Sequence, residues 1–448
     1  MVLVQKPERR WETRPLQFWA KAKELRAKFY QTEQEAKKQK VFLIGGGDGP
    51  QQGLGPGFGN LHFVHPHPEA ASIANVGDAY SRQCRGATEA YGYGRNLCGY
   101  QLDYIGALLT NRHFSGGEMP RRDLVCQGND LCAMFPKLGQ LEAEFWGVPD
   151  HHTDATGYYG EWDEERAKAA TQYMIDQYIG TIEWLEKATG TKFNVEAQVE
   201  YMKRQRRMQA LRGEVIEMLT HIPCPLDQKS AYSVLVLGSL VGSDPEETEK
   251  LWEMIRDEIK WRVENNIAGV ATERYRWTEN EPPPWFFLKY YRYMEQYGAV
   301  CIQTFYHGVR LEEQPDGSWK APKVPLEPEV EIKTVEDFVR AQVETMRMGG
   351  RRRSGWAGHG PLPEDYYQNL MYAVRAFKCD GVILPLHRAG IGCVFSMKAA
   401  AMKLMEQGIP VMHYETSHPG DRTDFDENRL LDQLDTFMET QGLRKLED

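Results

Sequence analysis

Three of the eight cysteines stand where an apolar strand leads into a helix. Cys98 begins the helical stretch CGYQLDYIGALL, Cys132 follows the strand DLVCQ, and Cys393 lies between the strand GVILPL and the next helix. Loops at the carboxyl ends of parallel strands meet in one crevice, and helix N-termini favour negatively charged groups. We therefore expect these three thiolates to lie near one another at one site.

Metal ligation is the chemistry that this arrangement favours. A closed structural zinc site takes four ligands, and the chain has no C-x-x-C pair, so zinc is the weaker candidate. A [4Fe–4S] cluster tolerates three cysteines and leaves one iron open to another ligand. Disulfides are not expected in a large chain that we take to be cytosolic. The alternative is that the cysteines are buried side chains scattered through the core.

The other five cysteines fit a ligand role less well. Cys126 and Cys301 lie inside apolar strands, where a thiol usually fills space in the core. Cys84, in SRQCRGATEA, is the competitor for the first ligand position. The remaining two lie in a Pro-Cys-Pro sequence and just before a strand, at Cys224 and Cys379.

The chain divides by pattern into four segments. Residues 1–40 form a polar helical extension, and residues 41–159 alternate short apolar strands with helices. Apolar residues then recur at helical spacing through 160–270, and the strand and helix alternation returns over 271–448. This order predicts an α/β fold with two Rossmann/flavodoxin-like parallel-sheet lobes and a helical segment between them. A crevice between two such lobes is a natural ligand site.

Individual elements can be located within these segments. Strands are predicted at VFLIG, DLVCQ, RYRWTE, GAVCIQTFY, CDGVILPL and GIPVMHYETS. The helices predicted after residue 271 are FLKYYRYMEQYG, TVEDFVRAQVETMRMGG, PEDYYQNLMYAVRAFK and FSMKAAAMKLMEQG. In the helical segment, Asp244 stands directly before Pro245 and is predicted to cap the helix that follows.

A glycine-rich stretch follows the first predicted strand. It contains Gly55, Gly57 and Gly59 in a G-x-G-x-G pattern, but NLHFVHPHPE follows where a dinucleotide fingerprint needs a helix. No G-K-[ST] ending is present either, which argues against a nucleotide P-loop. The stretch is interpreted as a flexible loop, with the lining of an acyl-CoA site as the alternative, since glycines let a ligand approach the backbone closely.

Composition limits the class of partner. The formal net charge is −10, and no long basic stripe carries interleaved aromatic residues, so nucleic acid is not expected as a partner. No apolar run approaches the ~18–20 residues that span a bilayer, and MVLVQKPERRWETRP lacks the pattern of a signal peptide. We expect a cytoplasmic protein without a membrane partner. Arg351, Arg352 and Arg353 form the best basic cluster for a phosphorylated ligand.

At the cysteine sites the chain resembles the 2-hydroxyacyl-CoA dehydratase/benzoyl-CoA reductase family. The resemblance rests on LCGYQLDYIGALLT around Cys98, DLVCQGNDLC ending at Cys132, and CDGVILPLHRAGIGC ending at Cys393. The end of the family pattern appears as GIPVMHYETSHPGDRTDFDENRL. The similarity covers most of the chain, at least residues 90–150 and 340–440. The combination is fairly specific, whereas each piece alone is weak.

The resemblance implies a [4Fe–4S] cluster, held by these three cysteines, in a cleft that receives an acyl-CoA thioester. It also implies a related smaller cluster-binding subunit of the C/N type, ATP-hydrolysing electron-activating subunits, and ferredoxin as the upstream donor. The length and the HFVHPHPE and GWAGHG segments resemble the larger B/O-type reductase subunit. That subunit would help to reduce benzoyl-CoA to a cyclic dienoyl-CoA. The alternatives are a dehydratase subunit, or a cluster-free structural subunit of such a complex.

Ring reduction needs protons as well as electrons, so an acid should line the pocket. The candidates are His65, His67 and Glu69 in HPHPE, together with His387 near the third cysteine. The alternative for HPHPE is a surface loop stiffened by proline. The three arginines at 351–353 would meet the CoA phosphates, with a solvated turn after a helix as their alternative. The long glycine stretch departs from the usual dehydratase pattern and leaves the substrate open.

Overall fold

The computed structural model describes residues 9–46, 53–128, 134–154, 164–235, 244–279, 283–302, 309–352, 363–387, 396–416 and 425–447. Its first lobe is built on a four-stranded parallel sheet with the order β2-β1-β3-β4. The strands are β1 (Phe42–Gly46), β2 (Leu61–Val64), β3 (Leu124–Gly128) and β4 (Asp150–Thr153). The chain reverses direction between β1 and β3, and ligands of such sheets bind beyond the strand ends at this point.

Six helices accompany this sheet along the chain. They are α1 (Trp19–Gln39), α2 (Gly55–Phe58), α3 (Pro66–Val76), α4 (Asp78–Ala90), α5 (Gly99–Leu109) and α6 (Met134–Trp146). Every residue of β2 and β3 is buried, as expected for a parallel sheet that is covered on both faces. The sheet therefore requires helices from both sides, which the alternating sequence supplies.

The helical segment contains α7 (Glu164–Thr189), α8 (Val195–Met218), α9 (Gln228–Leu235) and α10 (Pro245–Glu264). The predicted cap is confirmed, because the Asp244 side chain accepts a hydrogen bond from the Glu247 amide at the start of α10. Asn194 caps α8 in the same way by accepting from the Ala197 amide at 2.9 Å. These caps explain why the helices begin where they do.

The second lobe repeats the architecture with a parallel sheet of order β10-β9-β5-β6. Its strands are β5 (Tyr275–Thr278), β6 (Ala299–Cys301), β9 (Gly381–His387) and β10 (Val411–Thr416), and a small antiparallel pair is formed by β7 (Glu312–Glu313) and β8 (Trp319–Lys320). Its helices are α11 (Lys289–Met294), α12 (Val335–Arg352), α13 (Pro363–Ala376), α14 (Met397–Glu406) and α15 (Glu427–Thr440). The reversal of strand order lies between β5 and β9.

The predicted fold class is confirmed, since two parallel sheets with helices form the described structure. Every predicted strand overlaps an observed strand. One assignment by pattern is corrected: the surface-loop alternative for HPHPE is wrong, because α3 begins at Pro66 and Glu69 is 1% exposed. The described helices include none that is long and apolar enough to cross a membrane.

The glycine-rich stretch is held in place where it is described, which corrects its interpretation as a flexible loop. Gly57 donates its amide to Gln198 Oε1 at 2.9 Å, and the Gln198 side-chain amide donates to the Gly53 carbonyl at 2.7 Å. A Cβ at Gly57 would lie 2.3 Å from the Phe193 ring, so only glycine fits against α8 here. The absence of a dinucleotide fingerprint is consistent with β2, a strand, following directly after these glycines.

One apolar core joins the two lobes. It contains Ile73 of α3 and Tyr104 of α5 from the first lobe, and Trp277 of β5 and Leu434 of α15 from the second. At its edge Trp285 donates a hydrogen bond from Nε1 to the Tyr100 hydroxyl at 2.5 Å. Fully burying a large side chain stabilises a protein by roughly 1.5–3 kcal/mol, so this shared core holds the lobes together.

Helices also cross between the segments that the sequence separates. In α1, Leu25 and Phe29 join a core formed with α10 of the helical segment and with β9 of the second lobe. In α12, Phe338 and Val343 pack with the first sheet and α7, although α12 lies within the second lobe's part of the sequence. The segments are therefore interlocked by their helices.

The α4–α5 pair is an unusually close helix contact. Thr88 donates its hydroxyl to the carbonyls of Cys84 at 2.9 Å and Leu102 at 2.7 Å. Arg85 Nε donates to Asp103 Oδ1 at 2.9 Å inside the same contact. A Cβ at Gly106 would lie 1.9 Å from the Cys84 carbonyl oxygen, so the backbones approach as closely as glycine allows. This contact fixes the direction in which α5 runs.

Replacing Gly106 by alanine should therefore destabilise the protein by about 3 kcal/mol, because neither backbone can yield without moving a helix. Denaturant unfolding measures the change. Gly86→Ala on α4 is the matched control: a Cβ there meets nothing within 4 Å, and alanine in a helix should add roughly 0.5–1 kcal/mol. Equal stability of the two variants would contradict the close approach at Gly106.

Candidate functional site

Cys98 is the predicted ligand that the structure describes. It is the N-cap residue of α5, and its carbonyl accepts hydrogen bonds from the amides of Gln101 at 3.0 Å and Leu102 at 3.1 Å. Its side chain is half-buried at the edge of the interlobe core. The partial positive charge of a helix N-terminus lowers the pKa of a thiol placed there and favours the thiolate. The position therefore suits a metal ligand.

The other two predicted ligands lie outside the described residues. Cys132 follows Gly128, the last residue of β3, and Cys393 follows His387, the last residue of β9. Both strands are central in their sheets and adjoin the point where strand order reverses. The described structure therefore gives the strand ends that precede these cysteines, and their role as ligands stays a prediction.

The remaining cysteines are buried thiols. Cys126 in β3 and Cys301 in β6 are interior strand residues, which confirms the prediction made for them. Cys84 lies inside α4 with no exposed surface, and burial raises the pKa of its thiol to about 12. No disulfide joins any of the six cysteines in the described part of the chain. Cys84 is thus a poorer candidate ligand than Cys98.

An acid that the sequence analysis missed lies at the carboxyl end of β5. Glu279 directly follows this strand, is 2% exposed, and accepts hydrogen bonds from Tyr232 at 2.8 Å, Tyr290 at 2.5 Å and Tyr291. Burial raises the pKa of Glu279 to about 7, although the three hydroxyl donors oppose the shift. This carboxyl group therefore exchanges a proton near neutral pH.

Aromatic rings surround this acid. Trp277 stacks on Tyr291 with ring centroids 5.5 Å apart and planes 15° apart. Trp285 meets the Tyr232 ring edge-on at 5.0 Å, and the Tyr290 and Tyr414 rings are 6.1 Å apart. Such rings exclude water and bury large apolar areas. The environment keeps the dielectric low around Glu279, which is the cause of its raised pKa.

A continuous set of contacts connects Cys98 with Glu279. Tyr100 lies in the first turn of α5 beside Cys98, and its hydroxyl accepts the hydrogen bond from Trp285. Trp285 in turn contacts Tyr232, whose hydroxyl donates to Glu279. The helix that carries the predicted thiolate and the acid at the end of β5 thus belong to one interlobe region. No local sequence signal joins them.

The predicted proton donors lie in different places. His65 immediately precedes α3 and meets the Phe135 ring edge-on at 5.8 Å. The side chain of His67 lies outside the described residues. His387 is the last residue of β9 and is 4% exposed, at the same end of the second sheet as Glu279. Glu69 is enclosed in the first lobe. The structure therefore brings His387 and Glu279 to one sheet edge, away from Glu69.

Glu69 belongs to a buried charge network centred on Arg122. The Arg122 guanidinium, which is fully buried, contacts Glu33 at 3.0 Å, Glu69 at 3.1 Å and Glu142 at 3.0 Å. Tyr104 donates its hydroxyl to Glu142 at 2.6 Å. Burial raises the pKa of Glu69 well above its ordinary value, the neighbouring Glu33 raises it further, and Arg122 opposes the shift. The network stabilises the interior of the first lobe.

The arginine cluster is only partly described. The backbones of Arg351 and Arg352 form the end of α12, so these two residues belong to the helix and not to a turn after it. Their side chains and the whole of Arg353 lie outside the described residues. The contact with CoA phosphates stays a prediction.

Comparisons with known proteins give a family and one relative. The family described as "2-hydroxyglutaryl-CoA dehydratase, D-component" matches residues 69–440. The B-type subunit of benzoyl-CoA reductase from Thauera aromatica is 23% identical to this chain over 257 residues, which are 54% of this chain and 58% of the relative. The chain thus spans less than two thirds of that relative's length.

Replacing Glu279 by glutamine tests the raised pKa. The carboxyl holds its proton more tightly when folded, so its contribution to stability is complete below pH 4.5 and is lost as the pH rises to about 7. The free energy of unfolding of the wild type, relative to Glu279→Gln, should therefore fall by roughly 2–3 kcal/mol between pH 5 and pH 8. Denaturant titrations at each pH measure it.

The control is Glu264→Gln, at an exposed position on the last turn of α10. The difference between this variant and the wild type should stay flat over the same range. A flat difference for Glu279→Gln as well would show that its carboxyl is ionised throughout and that the raised pKa is wrong.

Proposed function

Since the chain belongs to the 2-hydroxyglutaryl-CoA dehydratase D-component family, we propose that it is the cluster-carrying B-type subunit of an ATP-dependent benzoyl-CoA reductase. The observation that carries the proposal is the position of Cys98, half-buried at the N-terminus of α5 beside the second lobe. The similarity to a benzoyl-CoA reductase subunit supports the choice of substrate.

The described donor fits an iron–sulfur cluster. Cys98 carries no disulfide, is reachable from the edge of the core, and lies where a helix N-terminus stabilises negative charge. Together with Cys132 and Cys393 it would hold a [4Fe–4S] cluster, which supplies single electrons at low potential when bound. The protein's own part is to fix the three thiolates on rigid strand ends and helix starts.

The overall reaction adds two electrons and two protons to the aromatic ring of benzoyl-CoA and gives a cyclic dienoyl-CoA. Electrons would come from ferredoxin through ATP-hydrolysing partner subunits, and a related smaller subunit of the C/N type would complete the enzyme. Arg351, Arg352 and Arg353 would bind the CoA phosphates. These assignments follow from the family and from the relative's name.

Protons need a group that holds them at neutral pH and releases them in the closed site. Glu279 meets the first requirement, because its pKa is raised to about 7 and its tyrosine partners hold it in one orientation. His387 ends the neighbouring strand β9 at the same edge of the sheet. We add Glu279 to the candidate donors His65, His67, Glu69 and His387, and rank it with His387 because both lie at the sheet edge where ligands bind.

Two other functions belong to the same family or complex. A dehydratase would remove water from a 2-hydroxyacyl-CoA and needs electrons only to start catalysis. A cluster-free subunit would merely complete the pocket of a partner. Iron content separates the second from the reductase, and the consumption of reductant separates the first.

Iron and acid-labile sulfide should be present in the chain purified under argon, at about four of each per cluster. Cys98→Ser should lose most of both, because it removes one of three protein ligands. Cys84→Ser is the control, since that thiol is buried inside α4 and should leave the iron content unchanged. A wild-type chain without iron, with Cys98→Ser harmless, would make it a cluster-free subunit.

Assays of the complete complex under argon identify the reaction. With benzoyl-CoA, product formation should consume ATP and reductant in fixed proportion to each product molecule. A 2-hydroxyacyl-CoA should not be turned over. Turnover of a 2-hydroxyacyl-CoA with only catalytic amounts of ATP and reductant would instead identify a dehydratase.

A further inference from the structure

A second group of possible metal ligands lies inside the first lobe, away from every cysteine discussed above. Glu33 comes from α1, Glu69 from α3, and His113 from the loop after α5. One ligand atom from each lies within 4.8 Å of the other two. All three side chains are buried, with His113 and Glu33 fully so. Three distant parts of the sequence thus meet at one point.

The atoms that converge are those without a partner. Arg122 contacts the Oε1 atoms of Glu33 and Glu69, whereas their Oε2 atoms make no hydrogen bond among the described residues. His113 Nε2 is equally unpartnered there and lies 3.7 Å from Glu33 Oε2. Unsatisfied buried polar atoms are rare and costly. Three that face one another indicate that something belongs between them.

The charge of the network indicates a cation. Glu33, Glu69 and Glu142 bring three negative charges when ionised, and Arg122 brings one positive charge, which leaves a formal charge of −2. Buried charges must be paired or bound to a metal. A divalent cation would bring the sum to zero. Two bound protons would do the same, and the experiment below separates the two cases.

We propose that Glu33, Glu69 and His113 bind a divalent transition-metal ion. Carboxylate oxygen and imidazole nitrogen are ligands that Zn²⁺ and Mn²⁺ accept. Bonds of about 2.1 Å place two ligand atoms at most about 4.2 Å apart, so small rotations of the side chains suffice. Ser115 Oγ lies 2.6 Å from His113 Nδ1 and orients the ring as partners of metal-bound histidines do. The Ser115 amide also approaches Nδ1, at 3.3 Å, and the bound ion would select the tautomer with hydrogen on Nδ1.

The ion would act as a clamp. Glu33 lies on α1, whose residues Leu25 and Phe29 pack in the core shared with the helical segment and the second lobe. Binding Glu33 to Glu69 and His113 would tie that helix to the first lobe. This role does not depend on the proposed reductase activity, and it involves none of the cluster ligands.

Metal analysis of the full chain tests the proposal. The protein is expressed with added Zn²⁺ or Mn²⁺, dialysed, and measured for zinc and manganese, so that cluster iron does not interfere. The wild type should retain about one ion per chain. Glu69→Gln and His113→Gln should each retain less than a tenth of that. Glu279→Gln is the control, because it changes an equally buried glutamate in the second lobe and should retain the ion.

A second measurement covers variants that do not fold. Chelation of the wild type should lower its Tm, and Zn²⁺ or Mn²⁺ should restore it, because an ion that binds only the folded state stabilises that state. The proposal is overturned if the folded wild type retains neither metal and its Tm responds to neither chelator nor added ion. Protons would then fill the site, while the iron content would still report independently on the cluster.

Discussion

The hydrogen bond between Trp285 and Tyr100 marks the contact on which the arrangement of the molecule depends. Tyr100 belongs to the first turn of the helix that begins at Cys98, and Trp285 belongs to the turn that follows the strand of Glu279. The surrounding core is apolar and shared by both lobes. Any shift of one lobe against the other would break this contact and separate the predicted thiolate from the acid.

The two buried acids show how differently a protein can stabilise the same group. Glu279 has three neutral hydroxyl donors and keeps a pKa near 7. Glu69 has a guanidinium on one oxygen, a second glutamate beside it, and no described partner for the other oxygen. Hydroxyl donors hold a group that can still gain and lose a proton. A guanidinium holds one whose charge is part of the structure.

Local pattern predicted most of the fold and one part of the site. Continuous apolar runs identified the strands, because both faces of a parallel sheet are covered, and the alternation with helices placed Cys98 at a helix start. Glu279 was missed because one acid after a strand has no periodic signal. His113 was missed because its neighbours Glu33 and Glu69 come from distant helices. The glycine stretch was taken for a flexible loop because the Gln198 side chain that holds it lies in another segment.

The place of α15 in the interlobe core bears on how the protein is made. Leu430, Leu434 and Met438 of this helix pack with residues of the first lobe and of β5, yet α15 follows every other described element along the chain. During synthesis, therefore, both sheets can assemble while the core between them still lacks one wall. Closure of the interlobe region must wait for the last helix to leave the ribosome, so any cofactor that occupies it would be inserted after translation.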